Sequence, residues 1–105
     1  MNPISLEGKV AVVTGGAGGI GKGIAESFAQ LGARVTVADS NAESVSKLNE
    51  SSAASGASIE AVECDVTQTE SVRDLMKRVE NRAHRLDILV NNVGDTLRLI
   101  KPFEE

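Results

Sequence analysis

Short apolar runs alternate along the chain with longer stretches whose apolar residues recur at helical spacing. The runs over residues 9–14, 34–39, 59–65 and 86–90 are rich in Val, Ile, Leu and Ala, and glycine or polar residues bound them. Such runs are typical of strands that are buried in a parallel sheet. The pattern therefore predicts a strand at each of these four places.

A helix is predicted between each pair of successive strands. The first has a stripe formed by Ile20, Ile24, Phe28 and Leu31, and Gly32 stands where a helix commonly ends. The second opens at Ser40-x-x-Glu43, which fits a capping box, and gives way to a loop over residues 51–58. The third opens at Thr67-x-x-Glu70 and has the clearest apolar stripe: Val72, Leu75, Met76, Val79 and Ala83.

The order of these elements, βαβαβαβ, predicts an α/β fold of the Rossmann type. We expect the spatial strand order 3-2-1-4, in which a long third crossover carries strand four to the other side of strand one. Right-handed crossovers then place two helices on one face of the sheet and the third helix on the other. A crevice then opens between strands one and four at their carboxyl ends, where open α/β sheets bind ligands. We interpret residues 1–105 as one domain that is incomplete at its C-terminus.

Composition and charge exclude several classes of function. The formal net charge is −4 and no block of Lys or Arg occurs, so we expect no nucleic-acid footprint and no binding to a membrane surface. The apolar runs are far too short to span a bilayer, and residues 1–5 do not resemble a signal peptide. Cys64 is the single cysteine, which excludes an internal disulfide. A cytoplasmic location is expected.

The glycine-rich segment after strand one is the strongest candidate for a binding site. Glycines before a helix let backbone N–H groups approach a phosphate with no Cβ in the way. The residues fit Gly16-x-Gly18-x-x-Gly21, which is the general dinucleotide fingerprint, and a wider-spaced version that begins at Thr14. They also fit most of a P-loop, although Gly23 stands where that motif needs a hydroxyl for Mg²⁺. A plain tight turn is the remaining interpretation.

Asp39 ends the second predicted strand and favours NAD. A carboxylate at this place in a dinucleotide-binding fold accepts both ribose hydroxyls of NAD. No Lys or Arg follows it at the start of the second helix, where a cation would meet the 2′-phosphate of NADP. The alternative is a helix N-terminal acid with a purely structural role.

Taken together, these motifs resemble those of the short-chain dehydrogenases/reductases. The resemblance rests on Thr14–Gly21 (TGGAGGIG), Asp39, Asp65-Val66 and residues 91–94 (NNVG), and it extends over residues 6–105. It implies an oxidoreductase that transfers a hydride between the nicotinamide of NAD and an alcohol or ketone. Val93 departs from the family pattern, which usually has Ala there, and we expect no loss of binding from it.

The resemblance implies a cofactor-binding role for residues at the ends of the predicted strands. Gly15, Gly19, Ile20 and Gly21 would lie along the pyrophosphate and the adjoining ribose. Asp39 would bind the adenosine ribose.

Two further strand ends complete this implied set. The side chain of Asp65 would meet the adenine amino group, and Val66 would contact adenine through its backbone. Asn91 would hold strand four and contact the cofactor, while Val93 and Gly94 would pass close to it through their backbones. No metal site is expected.

The resemblance also implies catalytic Ser, Tyr and Lys residues, which family members carry beyond the region that this chain matches. The chain contains no tyrosine, so we expect no catalytic residue in it and no turnover from it alone. A non-catalytic dinucleotide-binding module and, further off, a P-loop nucleotidase stay open as alternatives. Ile88, Leu89 and Val90 would leave strand four as an apolar edge, from which we expect a homo-oligomer.

Overall fold

The predicted alternation of strands and helices is confirmed by a computed structural model, which describes residues 5–15 and 19–91. The strands are β1 (Val10–Thr14), β2 (Arg34–Asp39), β3 (Ile59–Glu63) and β4 (Ile88–Asn91), and the helices are α1 (Gly19–Gln30), α2 (Ala42–Ser55) and α3 (Thr69–Ala83). All pairings in the described sheet are parallel, in the order β3-β2-β1-β4. The predicted fold class and strand order are therefore correct.

Alternate residues of the central strands point to opposite faces of the sheet and build two apolar layers. Ala11 and Val13 of β1 pack with Val35 and Val37 of β2 on the face that α1 and α2 cover. On the opposite face, the sheet packs against α3 through a second apolar layer. Its buried residues are Val10, Val12, Ala38 and Cys64 from the sheet side and Leu75 and Val79 from α3. Both faces of β1 are buried because helices cover both, as a near-continuous apolar run predicts.

The second helix is longer than predicted. Residues 51–55, which were expected to be loop, continue α2 to Ser55. Ser51 and Ser55 donate their hydroxyl hydrogens to backbone carbonyls of the preceding turn, and Ser52 is buried. The hydroxyls of Ser51 and Ser55 thus have hydrogen-bond partners within the helix itself. Gly56, with a φ of 78°, ends the helix in the left-handed conformation.

Neither predicted capping box forms. Asn41, not Ser40, caps α2, and its Oδ1 accepts a hydrogen bond from the N–H of Ser44 at 3.0 Å. At α3 the flanking residue is Gln68, which makes no side-chain cap, while Thr67 turns towards Asp65. The prediction failed because Ser, Thr and Asn compete for the same orphan N–H groups, and spacing alone does not choose between them.

Two strand boundaries also differ from the predictions. β3 ends at Glu63, so Cys64 and Asp65 follow the strand rather than lying in it. β4 begins at Ile88. Asp87 lies just before this strand and bonds to Val10, the first residue of β1. Its N–H donates to the carbonyl of Val10, and its Oδ2 accepts from the N–H of Val10, both at 2.9 Å.

Candidate functional site

The carboxyl ends of the four strands bring most of the predicted site residues to one edge of the sheet. The strand register places Thr14 beside Ala38 and opposite Asn91, and it places Asp39 opposite Glu63. The crevice predicted between strands one and four therefore lies beside the turn that leads from β1 to α1. Val93, Gly94 and the fingerprint glycines Gly16 and Gly18 lie outside the described residues.

The turn after β1 needs glycine at the two ends that the structure describes. Gly15 has a φ of 68° and donates its N–H to the carbonyl of Ala38 at 2.6 Å. Gly19 starts α1 with a φ of 60°, and a Cβ built there would meet no described atom within 4 Å. Left-handed backbone is disfavoured for residues with a side chain, and the space left beside Gly19 is the kind that a bound phosphate requires.

The first turn of α1 presents one apolar side chain to solvent. Gly21 is buried in that turn, whereas Ile20 is 76% exposed, which makes it the exposed large hydrophobic residue of the described part of the chain. A lone exposed isoleucine is ordinary by itself. Its place beside the glycine turn gives it a surface on which a ligand could pack.

Asp39 leaves β2 at the same edge, and its carboxylate is already oriented. Oδ1 accepts a hydrogen bond from the N–H of Asn41 at 2.9 Å, and Asn41 in turn caps α2. The side chain is therefore held at the point where β2 passes into α2. A half-buried carboxylate in this position can accept hydrogen bonds from a diol.

Asp65 is exposed just beyond β3, and Thr67 bonds to it twice. Its Oδ1 accepts from the Thr67 hydroxyl at 2.6 Å and from the Thr67 N–H at 3.0 Å. The hydroxyl bond first, and then the backbone bond, hold the pKa of Asp65 below its ordinary value of 3.8. The next residue, Val66, packs partly against the apolar layer under α3. Asp65 is therefore a fixed carboxylate at this edge.

Asn91 ends β4 directly opposite the end of β1. The hydroxyl of Thr14 lies 3.3 Å from both the carbonyl oxygen of Val90 and Oδ1 of Asn91. Thr14 is only 4% exposed, so this contact is part of the strand pairing rather than the surface. It orients the amide of Asn91 towards the same edge as the glycine turn.

The described residues include groups that could bind three parts of a dinucleotide. Pyrophosphate needs a close backbone at a helix N-terminus, which Gly19 and α1 provide. The adenosine ribose needs a carboxylate at the end of the strand next to β1, and Asp39 ends that strand. An adenine amino group needs an acceptor, and Asp65 offers one.

Three residues position this site in a way that the sequence motifs did not predict. Thr14, Asn41 and Thr67 each bond to a predicted site residue and keep it in place. Two of these had a readable signal, because Asp39-x-Asn41 and Asp65-x-Thr67 both have the spacing of a side-chain turn in which an Asp accepts from the backbone N–H two residues later. Thr14 depends on a contact across strands, which spacing does not reveal.

A cleft of about 260 Å³ lies at the opposite, amino-terminal edge of the sheet and contains no predicted site residue. Glu60, Arg34 and Arg82 are among its lining residues, and Glu60 accepts hydrogen bonds from Arg78 at 2.7 Å and from Arg82. These guanidinium groups, Arg78 foremost, hold the pKa of Glu60 below its ordinary value of 4.5. Glu60 is thus paired with Arg78 and Arg82, and the cleft is separate from the site at the carboxyl ends.

Among the residues that the structure describes, no helix combines the length and apolar character needed to cross a membrane.

Comparison with known proteins agrees with the fold and with the motifs. The family model for short chain dehydrogenases matches residues 9–105. Similar proteins include 3beta-hydroxysteroid dehydrogenase 2 of Eggerthella lenta, which is 39% identical over 89% of this chain and 35% of its own length. 2,3-Dihydroxy-2,3-dihydro-p-cumate dehydrogenase of Pseudomonas putida is 43% identical over 99% of this chain and 40% of its own length.

A solved structure shows the same likeness in three dimensions. Hydroxysteroid dehydrogenase from Escherichia coli superposes with a TM-score of 0.79 at 35% sequence identity, covering 87% of this chain and 39% of that protein. The chain thus spans between about a third and two fifths of the length of these relatives. The chain belongs to the short-chain dehydrogenase family, whose members are oxidoreductases that use nicotinamide cofactors.

Proposed function

We propose that this chain binds NAD at the carboxyl edge of its sheet and is the cofactor-binding part of an NAD-dependent dehydrogenase. The observation that carries the proposal is the convergence of the glycine turn, Asp39 and Asp65 on one edge beside β1. The nicotinamide of the cofactor would supply hydride transfer. The P-loop alternative is not retained, because the family is one of dehydrogenases.

The roles proposed for the residues follow the order of the strand ends. Gly15, Gly19, Ile20 and Gly21 line the pyrophosphate and its ribose, and Gly19 in particular leaves space for close approach. Asp39 accepts hydrogen bonds from the hydroxyls of the adenosine ribose.

The remaining proposed contacts involve the ends of β3 and β4. Asp65 and Val66 hold adenine, while Asn91 contacts the cofactor from the end of β4. For Val93 and Gly94, which lie outside the described residues, the family resemblance supports the proposal that their backbones contact the cofactor.

The substrate proposed for the whole protein is a small molecule with an alcohol or ketone group. The names of the relatives denote hydroxysteroid and dihydroxy-dihydro substrates, which all bear a hydroxyl group. This chain contains no tyrosine, the general acid that the resemblance implies, so the proposal for the chain itself is cofactor binding. A cytoplasmic location and homo-oligomerisation stay predictions.

NAD is proposed over NADP because Asp39 carries a negative charge at the end of β2. At about 4 Å a 2′-phosphate and a carboxylate repel each other by about 4 kcal/mol at an effective dielectric constant of 20. Solvent reduces this, and a third of it still gives roughly tenfold in affinity. Asp39→Ala should abolish or reverse the preference. Glu80→Ala, which removes an exposed acid near the end of α3 and away from this edge of the sheet, should leave it unchanged.

The binding site is tested by calorimetric titration of NAD into matched glycine variants. Gly19→Ala and Gly56→Ala each add one methyl group at a left-handed backbone with open space around it, so their costs in folding stability should be similar. Gly56 lies at the far end of α2, away from the proposed site. We expect only Gly19→Ala to weaken NAD binding, by more than about tenfold. Equal NAD affinity in the two variants would refute the placement of the pyrophosphate, and equal affinity of the unmodified chain for NAD and NADP would refute the role of Asp39.

A further inference from the structure

Asp65 is held both by its backbone and by its side chain. The backbone N–H of Asp65 donates to Oγ of Ser71 at 3.0 Å, and the Ser71 hydroxyl points to Sγ of the buried Cys64 at 3.4 Å. On the side chain, Oδ1 accepts both hydrogen bonds from Thr67. Turning the carboxylate away would break both bonds from Thr67, so its orientation is fixed although the residue is exposed.

The two oxygens of Asp65 therefore have different surroundings. Oδ1 is occupied by Thr67, whereas Oδ2 has no hydrogen bond within residues 5–15 and 19–91. A carboxyl with the ordinary pKa of 3.8 is already ionised at neutral pH, and the bonds from Thr67 lower the pKa of Asp65 further. An ionised carboxylate accepts hydrogen bonds and donates none. Asp65 thus presents one acceptor oxygen in one direction.

We propose that Thr67 is a positioning residue that fixes the direction in which the Asp65 carboxylate presents its acceptor oxygen Oδ2, and so makes the base subsite select a purine with an exocyclic amine over one with an oxo group. This inference rests on the proposed function, in which Asp65 meets the base of the dinucleotide. It goes beyond that function in assigning a role to Thr67 and a chemical basis to the choice of base.

The selection follows from hydrogen-bond complementarity. Adenine carries an amino group at C6, which donates to the carboxylate. Hypoxanthine carries an oxo group there, so two acceptors face each other, one hydrogen bond is lost and the lone pairs repel. A hydrogen bond to a charged group at an exposed position supports a discrimination of roughly tenfold.

The experiment compares NAD with its hypoxanthine analogue, nicotinamide hypoxanthine dinucleotide, by calorimetric titration. We expect the unmodified chain to bind NAD roughly tenfold more tightly. Thr67→Val removes the hydroxyl but keeps the backbone N–H, and it should bring the ratio towards one, mainly by weakening NAD. Thr67→Ser keeps the hydroxyl and should keep the ratio. Thr69→Val, at an exposed threonine that starts α3, is the matched control and should also keep it.

A second measurement does not depend on binding. The carboxyl carbon of Asp65, followed by NMR over pH, should titrate below the ordinary value of 3.8 in the unmodified chain and in Thr67→Ser. In Thr67→Val it should titrate at a higher pH, because the hydroxyl bond is the largest cause of the lowered pKa. Circular dichroism must show the same fold for each variant, and Thr67→Ala replaces the valine variant if that one unfolds.

The outcomes separate this inference from the function on which it rests. If the folded chain binds neither dinucleotide, the proposed function is wrong and the inference falls with it. If it binds both with equal affinity, dinucleotide binding stands and base selection is wrong. A ratio that is unchanged in Thr67→Val overturns the role of Thr67, even if NAD binds more tightly than its analogue.

Discussion

The side chain of Asn49 takes the place of a neighbouring strand at the β3 edge of the described sheet. Its Nδ2 donates to the carbonyl of Ala61 at 3.0 Å, and its Oδ1 accepts from the N–H of Ala61 at 2.8 Å. The backbone groups of Ser58 and Cys64 bond to β2. Because alternate residues of a strand direct their N–H and C=O groups to opposite sides, those of Ala61 point away from β2, towards the open edge. We therefore predict that Asn49→Ala destabilises the fold and exposes this edge to pairing.

The magnitude follows from the two bonds and the helix that carries them. Each net hydrogen bond is worth about 0.5–1.5 kcal/mol, so losing both costs roughly 1–3 kcal/mol. Alanine offsets part of this, because it favours a helix over asparagine by about 0.5 kcal/mol. The free energy of unfolding should fall by about 1–2 kcal/mol. Since Ala61 is only 5% exposed, water would replace the lost partner poorly.

Urea unfolding measures the stability change, and Asn81→Ala is the matched control. Asn81 is exposed on α3, and its side chain has no hydrogen bond within the described part of the chain, so the same substitution should be neutral or slightly stabilising. Hydrogen exchange of the Ala61 amide should accelerate in Asn49→Ala alone. Light scattering across a dilution series should show more association in that variant. Equal stability and equal Ala61 exchange in the two variants would refute the role assigned to Asn49.

Two further predictions concern a pair of glycines and one ion pair. Gly32→Ala should destabilise the fold by more than about 1 kcal/mol, because φ is 108° and a Cβ would lie 3.0 Å from the backbone of Glu7. Gly23→Ala, inside α1 with open space around it, should instead stabilise by up to about 1 kcal/mol. Urea unfolding decides both, and shifts of the same sign would contradict the reasoning. Asp87→Asn should destabilise at pH 7 but much less at pH 2, because hydrogen bonds from Arg85 and from the first N–H of β1 lower the pKa of Asp87 below 3.8. A lowered pKa gives stability that is present above pH 3.8 and is lost as the pH falls through the folded-state value, so an equal destabilisation at both pH values would contradict it.

The fold could be predicted from the sequence because its signals are redundant. The run that forms β1 is apolar on both faces, and only a sheet covered on both sides buries such a strand. The apolar stripe that ends in Val79 and Ala83 likewise predicted which face of α3 packs against the sheet. The strand order is that of a doubly wound sheet, and for this order the handedness of the crossovers determines which face each helix covers.

Element ends were predicted less well because they depend on competition among nearby polar groups. Ser40 and Asn41 both suit an N-cap, and the backbone geometry gave the position to Asn41. The serines near the end of α2 resemble a loop by composition, yet Ser52 is buried and the helix continues to Ser55. Such choices are decided by packing against the sheet, which the local sequence does not contain.

The placement of the candidate site depends on the register of β4, and contacts at both ends of that strand specify it. Before the strand, Asp87 bonds to both the N–H and the carbonyl of Val10. At its end, the hydroxyl of Thr14 lies 3.3 Å from Oδ1 of Asn91. A slip of one residue would move every side chain of β4 to the other face and break both contacts. The first contact lies at the amino edge of the sheet and the second at the carboxyl edge, so Asp87, which is remote from the proposed cofactor site, helps to set the position of Asn91 within that site.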